Sequence, residues 1–426
     1  MNGIKPCIVN LSNGYLIIPI IFMIKPNSLR LLYLNFGHFT NHMLMLIFAK
    51  AAFSAGIDFG FGKDGAYAEM IAYGIPSLVL FGACAPLAAL GADHWNRNGM
   101  LTVFFIGIGL SSILTGFSQS LLQIGFGLAL IGVFASIYHP IGIAMVIEGG
   151  GKIGWRLGVN GVWGNMGVAA APLVTGLTIA QFDWRMAFII PGLVSILTGL
   201  GFLVFGRSVG ARTLEATQQE KELVGFAPGW KRALVSLGLV TAAGGFVFGA
   251  MTFLIPRLFD VRMQGISEDI AVTGTLAAVI YAVAAFAQLV VGRAIDKLSI
   301  KTVLIFIAAG QPLFLSMMAI QTDYTLFAVS LLAMGFVFGQ IPITDALLSQ
   351  YVPNKWRTKV LSIKFMINLV IGALALMMAR YLLSTGAGFE TVMRVIAIAA
   401  CFIVGAAILL PKRHDLSKMK SNLKEV

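Results

Sequence analysis

Apolar residues along this chain neither alternate nor recur at a single helical face; they run on in blocks, with polar residues confined to short stretches between them. A block of roughly 20 apolar residues is long enough for a helix to cross the hydrocarbon core of a bilayer. Twelve such blocks are found, at 31–53, 70–90, 100–118, 120–147, 156–180, 185–205, 233–256, 268–292, 301–320, 325–351, 357–383 and 392–410. The pattern predicts an all-α polytopic membrane protein with twelve transmembrane helices in two six-helix halves. Ahead of the first block, the apolar stretch 15–24 is broken by Pro19 and too short to cross, and no small-x-small cleavage site follows it. Residues 1–30 are therefore expected to be a cytoplasmic or disordered extension, with Met23 an alternative start.

The longest polar connection, 206–232, mixes Arg212, Glu215, Glu220, Lys221 and Glu222 with the turn-forming pair Pro228-Gly229. It is expected to be a cytoplasmic linker between an N-terminal bundle, 31–205, and a C-terminal bundle, 233–410, with 411–426 a basic cytoplasmic tail.

Composition agrees with lipid as the surrounding solvent. The chain is 58% hydrophobic and 11% charged, against about 25% charged in an ordinary soluble domain. Cationic residues then test orientation, because cytoplasmic connections hold the excess. With the N-terminus inside, the inner connections carry 22 of the 30 Lys and Arg residues and the outer ends seven, Lys50 among them, with Lys364 left within a span. Both termini are thus expected in the cytoplasm, in a bacterial inner membrane. The net charge of +12 is scattered over these connections with no basic face or aromatic platform, so no nucleic-acid partner is expected. The expected partners are the lipid bilayer and a small-molecule substrate, with the chain acting as a monomer.

Enzyme chemistry finds no support. No Gly-rich phosphate loop ends in Lys-Ser or Lys-Thr, and the repeats Gly107-Ile-Gly109 and Gly125-Phe-Gly127 lie inside spans. Cys7, Cys84 and Cys401 are far apart, and no His or Cys cluster has metal-ligand spacing along the chain. No metal and no cofactor is expected, which leaves an ion gradient as the source of energy.

Polar groups inside the spans are the candidate functional residues, because a charge or imidazole in hydrocarbon needs a water-filled cavity or a partner. His38, Asn41 and His42 share a face of span one and can exchange protons near neutral pH. Asp345 in span ten and Lys364 in span eleven lie at similar depth with opposite charge, predicting an ion pair, with Asn368 one turn beyond Lys364. Tyr138 and His139 precede Pro140, whose missing N–H frees a carbonyl in span four. In span five, Asn160 and Trp163 share a face while Asn165 points elsewhere; Gln288 and Gln340 are deep amides of the second half. A stripe of Gly158, Gly161, Gly164 and Gly167 in the same span predicts close helix approach or a hinge.

One connection is written twice. Ala89-Leu90-Gly91-Ala92-Asp93, with Arg97 and Gly99, recurs as Gly292-Arg293-Ala294-Ile295-Asp296-Lys297, with Lys301, about two hundred residues later. This repeat resembles the loop motif of the major facilitator superfamily of secondary transporters, between spans two and three and again between eight and nine. Asp183-Trp184-Arg185-Met186-Ala187-Phe188 followed by Pro191-Gly192 is similar to the start of span six in many members. The resemblance covers about 31–410 and implies the major facilitator fold, with Asp93, Arg97, Gly292, Asp296 and Lys297 gating the cytoplasmic ends. His38-Phe39-Thr40-Asn41-His42, Tyr138-His139-Pro140 and Gly164-Asn165-Met166-Gly167 with Pro172 resemble the fosmidomycin-resistance group of efflux proteins. That group carries an Asp where this chain has His42, and the span-four arginine of many drug–proton antiporters is absent, Leu128 lying near its place. The resemblance implies alternating access and proton-coupled efflux of a small organic solute or drug. Uptake or facilitated transport of a metabolite is the alternative within the fold, and a non-transporting membrane sensor or assembly partner is the alternative outside it.

Overall fold

A computed structural model describes residues 26–148, 153–205 and 225–411. Excepted are the side chains of 26–28, 93, 147–148, 153–155, 354–355, 357–359 and 362. The extension before Pro26, most of the 206–232 linker and the basic tail after Pro411 lie outside the described residues.

Fourteen helices among the described residues make the twelve crossings. In the first half these are α1 (Pro26–Asp58), α2 (Ala66–Ala83), α3 (Ala85–His94), α4 (Arg97–Gly116), α5 (Leu121–Ala135), α6 (Tyr138–Glu148), α7 (Ile153–Gln181) and α8 (Met186–Phe205). The second half holds α9 (Trp230–Arg262), α10 (Ile270–Lys297), α11 (Ile300–Met318), α12 (Asp323–Tyr351), α13 (Asn354–Ser384) and α14 (Gly388–Leu409). Span two is α2 with α3 and span four is α5 with α6. Each break precedes a proline by a few residues: Pro86 and Pro140 cannot donate to the carbonyls of Gly82 and Ser136 four positions back. The linker expected to reach residue 232 ends earlier, since α9 begins at Trp230.

Eleven of the crossings are long and apolar enough to span a bilayer on composition alone. The exception is α1, thirty-three residues long but diluted by Asn35, His38, Asn41, His42 and Lys50. The one crossing that falls short on composition therefore carries a dense set of polar groups in its middle.

The halves meet most closely along two helix pairs, α2 against α13 and α7 against α10, with α1 against α9 beside them. On α7 and α10 the approach is backbone on backbone: a Cβ built on Gly176 would lie 2.6 Å from the Ile270 carbonyl oxygen, and Gly176 and Gly274 face each other. At the opposite ends of the same helices, Gly158 and Gly161 on α7 and Gly292 on α10 have nothing within 4 Å of that position. The glycine stripe is thus divided. Gly164 and Gly167 seat α7 against His38 and the Phe39 backbone of α1, while Gly158 and Gly161 face open space. The halves touch at the end away from the termini, here called the far end, and splay at the end where Pro26 and Pro411 lie.

Small residues in lipid act by permitting such approach rather than by propensity. Gly176→Ala is accordingly expected to lower the stability of the purified protein by about 1–3 kcal/mol through overpacking. Gly161→Ala, with room for the methyl, should leave it unchanged or raise it by at most about 1 kcal/mol. Thermal unfolding of the two variants in one detergent checks the contrast.

Candidate functional site

The middle of α1 builds one polar centre. At 1.5 Å per residue, His38 lies about 18 Å and His42 about 24 Å along the helix from Pro26. Asn160 on α7 organises His38: its backbone oxygen and its Oδ1 stand 2.8 and 2.9 Å from His38 Nδ1. A carbonyl only accepts, so Nδ1 carries the proton and Nε2 presents a lone pair. Asn160 Nδ2 donates to Asn35 Oδ1 at 3.0 Å and to the Tyr138 hydroxyl at 2.9 Å, and that hydroxyl donates to the Leu34 carbonyl at 2.6 Å. The Tyr138 ring stacks on His38 at 5.0 Å, in space left by Gly37 and Gly142.

His42 and His139 complete the centre. His42 Nε2 lies 3.2 Å from His38 Nε2, and the His139 ring stands 5.2 Å from that of His38 and 5.4 Å from that of His42. Ligand nitrogens of the three imidazoles all fall within 4.8 Å of one another. The expectation that no histidine cluster has metal-ligand spacing is therefore corrected: chain separation hid it, and the break at Ser136-Ile137 brings His139 onto α1. Two polar groups here are unsatisfied, His139 Nδ1 and both amide atoms of the fully buried Asn41. Across the half boundary, Phe365 of α13 packs on His139 at 5.2 Å.

Asn160→Ala removes the amide that holds Asn35 and Tyr138 and one of two acceptors for His38. Leaving such buried groups unpaired costs about 1–3 kcal/mol. The expected result is a lower melting temperature at unchanged membrane insertion, read by fluorescence-detected size exclusion after heating.

Lys364 and Asp345 form the ion pair that their charges and depths predict, Nζ to Oδ1 at 2.5 Å. Lys364 is 13% exposed and Asp345 58%, so the lysine is enclosed while the carboxylate is more than half exposed, six residues before the end of α12 on the terminal side. Since Phe365 is the next residue, α13 carries both the lysine of the ion pair and the ring that covers the imidazoles. Asn368 packs against α9, its Oδ1 2.8 Å from where a Cβ on Gly245 would lie. Trp163 sets its ring edge-on to Phe39 at 6.4 Å, and Asn165 is half-buried. Gln340 is an interhelical tie, accepting from Gln311 at 2.7 Å and donating to the Val240 carbonyl at 3.1 Å, whereas Gln288 Nε2 is buried without a partner.

The duplicated connections lie at the splayed end. Asp93 sits in the last turn of α3 and Asp296 in the last turn of α10. A carboxylate there opposes the helix dipole and cannot cap an N-terminus, so helix capping does not account for either. The Asp93 side chain lies outside the described residues. Asp296 and Lys297 are exposed and make no ion pair among the described residues, Arg97 is exposed, and Gly292 has open space beside it.

The far end is closed by residues that sequence reasoning missed. Lys50, counted among outer-end cations, lies inside α1 because the helix runs on to Asp58, and its side chain is fully buried. It pairs with Asp260 on α9 and donates to Thr273 on α10 at 2.7 Å, while the Thr273 hydroxyl donates to Asp260 at 2.5 Å. Beside it the Arg257 guanidinium lies 3.4 Å from the centre of the Phe53 ring, and Glu69 on α2 pairs with Arg380 on α13 at 3.1 Å. The signal for Lys50 was its position three residues inside the end of an apolar run. Within the first half, the Asp183-Trp184-Arg185 segment caps α8 through Asp183 Oδ1, which accepts from the Arg185 amide at 2.8 Å, and Arg185 pairs with Asp58 at 2.8 Å.

Comparison with known proteins places this architecture. Among solved structures, a D-xylose–proton symporter superposes with a TM-score of 0.73 at 13% identity, covering 89% of this chain and 97% of that one. A bacterial homologue of the human lysosomal transporter Spinster, inward-facing and occupied, superposes with a TM-score of 0.71 at 17% identity over 91% and 96%. These likenesses are of fold. Among curated proteins, the puromycin resistance protein pur8 of Streptomyces alboniger is 31% identical over 124 residues, 28% of this chain. The probable sulfoacetate transporter SauU of Cupriavidus necator is 25% identical over 166 residues, 35% of this chain. The chain spans 25% and 38% of the lengths of these two relatives. The sequence matches the Major Facilitator Superfamily over residues 31–273 and 263–425, and with two six-helix halves packed about a polar interface the chain belongs to that superfamily of transporters.

Proposed function

We propose that the protein is a proton-coupled exporter of a small organic solute working by alternating access. The observation that carries this reading is the Asp345–Lys364 pair, an enclosed lysine and an open carboxylate on the splayed side of a molecule sealed at its far end. The Lys and Arg bias assigns the splayed side to the cytoplasm, so the conformation is one that loads from within. Solute enters between the halves along His38, Asn41, His42, Tyr138, His139, Asn160, Trp163, Asn165, Asn368 and the ion pair. A polar or acidic group on the solute competes with Asp345 for Lys364, and the released carboxylate takes up a proton when the far end opens. The charged connections Asp93, Arg97, Gly292, Asp296 and Lys297 close the cytoplasmic end before the far end opens. Support for export comes from the partial similarity to a puromycin resistance protein and from the resemblance of spans one, four and five to fosmidomycin-resistance proteins.

Uptake of a small organic acid is the second reading, favoured by the 166 residues shared with a probable sulfoacetate transporter. Inside-out vesicles with a preset proton gradient separate the two. Export predicts that adding a transported solute outside collapses the gradient. Solute movement that leaves the gradient intact overturns proton antiport, and the absence of any movement across a broad solute panel overturns transport by this chain alone.

A further inference from the structure

We infer that His38, His42 and His139 form a binding site for a divalent late transition-metal ion of the Zn2+, Ni2+ or Co2+ class. Two nitrogens of a tetrahedral ion bound at about 2.0–2.1 Å stand about 3.3 Å apart, and His38 Nε2 and His42 Nε2 are already 3.2 Å apart. The third imidazole has a ligand nitrogen within 4.8 Å of theirs, so a side-chain rotation of His139 closes the set. Its Nδ1 is buried without a hydrogen-bond partner, and the Asn41 amide nearby is likewise unsatisfied.

His38 is oriented as metal-binding imidazoles usually are. Such a ring donates its second N–H to a carbonyl, which fixes the tautomer and points the free lone pair at the ion. His38 Nδ1 makes that bond to the Asn160 carbonyl at 2.8 Å. In His42 only a shift of the proton from Nε2 to Nδ1 is needed to free the second lone pair. Imidazole nitrogens suit Zn, Ni and Cu, whereas Mg and Ca require oxygen ligands.

Among the described residues no carboxylate or thiolate joins the three rings. A dication held by three neutral ligands amid apolar side chains is left with uncompensated charge. The fourth ligand comes from outside the chain and is an anion, either hydroxide or an acid group of the solute. The site lies at the half boundary, where α1 and α6 meet Phe365 of α13, so ion binding is linked to the approach of the halves. This inference rests on the geometry of the imidazoles and not on proton coupling.

Co2+ titration of tag-free, chelator-washed protein in lipid nanodiscs tests it. The expected result is one equivalent bound per chain, with the intense visible bands of a four-coordinate ion, displaced by Zn2+. His42→Ala and His139→Ala should each weaken binding at least tenfold, and Asn160→Ala, which keeps the backbone acceptor of His38 Nδ1, by less than either. His94→Ala, at the exposed end of α3, should bind as the parent does. Wild-type protein that leaves Co2+ in its six-coordinate aqueous spectrum overturns the inference, as does equal affinity without His42 or His139. If a variant fails to fold, pulsed EPR of Cu2+ on the wild-type protein decides, and a signal lacking histidine nitrogens counts against the site. Gradient-collapse measurements in chelator-stripped vesicles show separately whether transport stands.

Discussion

Asp345→Asn and Lys364→Ala are each expected to abolish solute-driven proton movement while the protein remains folded in the membrane. The two losses differ in physics. Removing the carboxylate strands the ammonium of Lys364, 13% exposed, without its counter-ion; removing the lysine frees a carboxylate already 58% exposed. A half-exposed pair contributes about 1 kcal/mol or less to stability because water screens it. The effect should therefore fall on transport and not on folding, and the melting temperature is the control. Asp345→Glu, which keeps the charge, should recover part of the activity. Both single variants transporting at the wild-type rate would reduce the pair to a static tie between α12 and α13.

Asp260→Asn should shift the resting conformation. Lys50 is fully buried and Asp260 12% exposed, and breaking a buried pair by removing one partner costs about 3–5 kcal/mol. That cost is borne by the closed far end, where Lys50 is kept from water, and it is relieved when the halves part there. At about 1.4 kcal/mol per factor of ten, the balance between far-end-closed and far-end-open forms moves more than a hundredfold. Spin labels at Asp64→Cys and Glu268→Cys, on exposed far-end connections of the two halves, report it as a longer distance. The double variant Lys50→Met/Asp260→Leu replaces the pair by apolar contacts and should restore the short distance, since such a swap is often neutral or stabilising. An unchanged distance in Asp260→Asn would show that the backbone contact of α7 on α10 closes the far end without the ion pair.

How much was legible varied with the range of the interaction. The twelve crossings could be read because an apolar block of bilayer length is a local property, and α1 was found despite five polar interruptions because its flanks are apolar. The Asp345–Lys364 pair could be anticipated because both residues lie near one short connection, nineteen positions apart. Lys50 was misplaced because an apolar run marks where hydrophobicity fades and not where the helix ends, and α1 continues to Asp58. Its partner Asp260 is 210 positions away, beyond any spacing rule. The imidazole cluster was half seen: His38 and His42 are one helical turn apart, but His139 joins them only through the break between α5 and α6.

By itself the sequence determined the solvent, the number of crossings, the duplicated halves and the side expected to face the cytoplasm. These follow from segment length and from the cost of charge in hydrocarbon, which each residue carries wherever the chain goes. Only the tertiary structure decided which polar groups converge, which end of the bundle is shut and which glycines touch. In lipid those outcomes depend on how closely helix backbones approach, and two helices far apart in the chain share no local signal that would announce it.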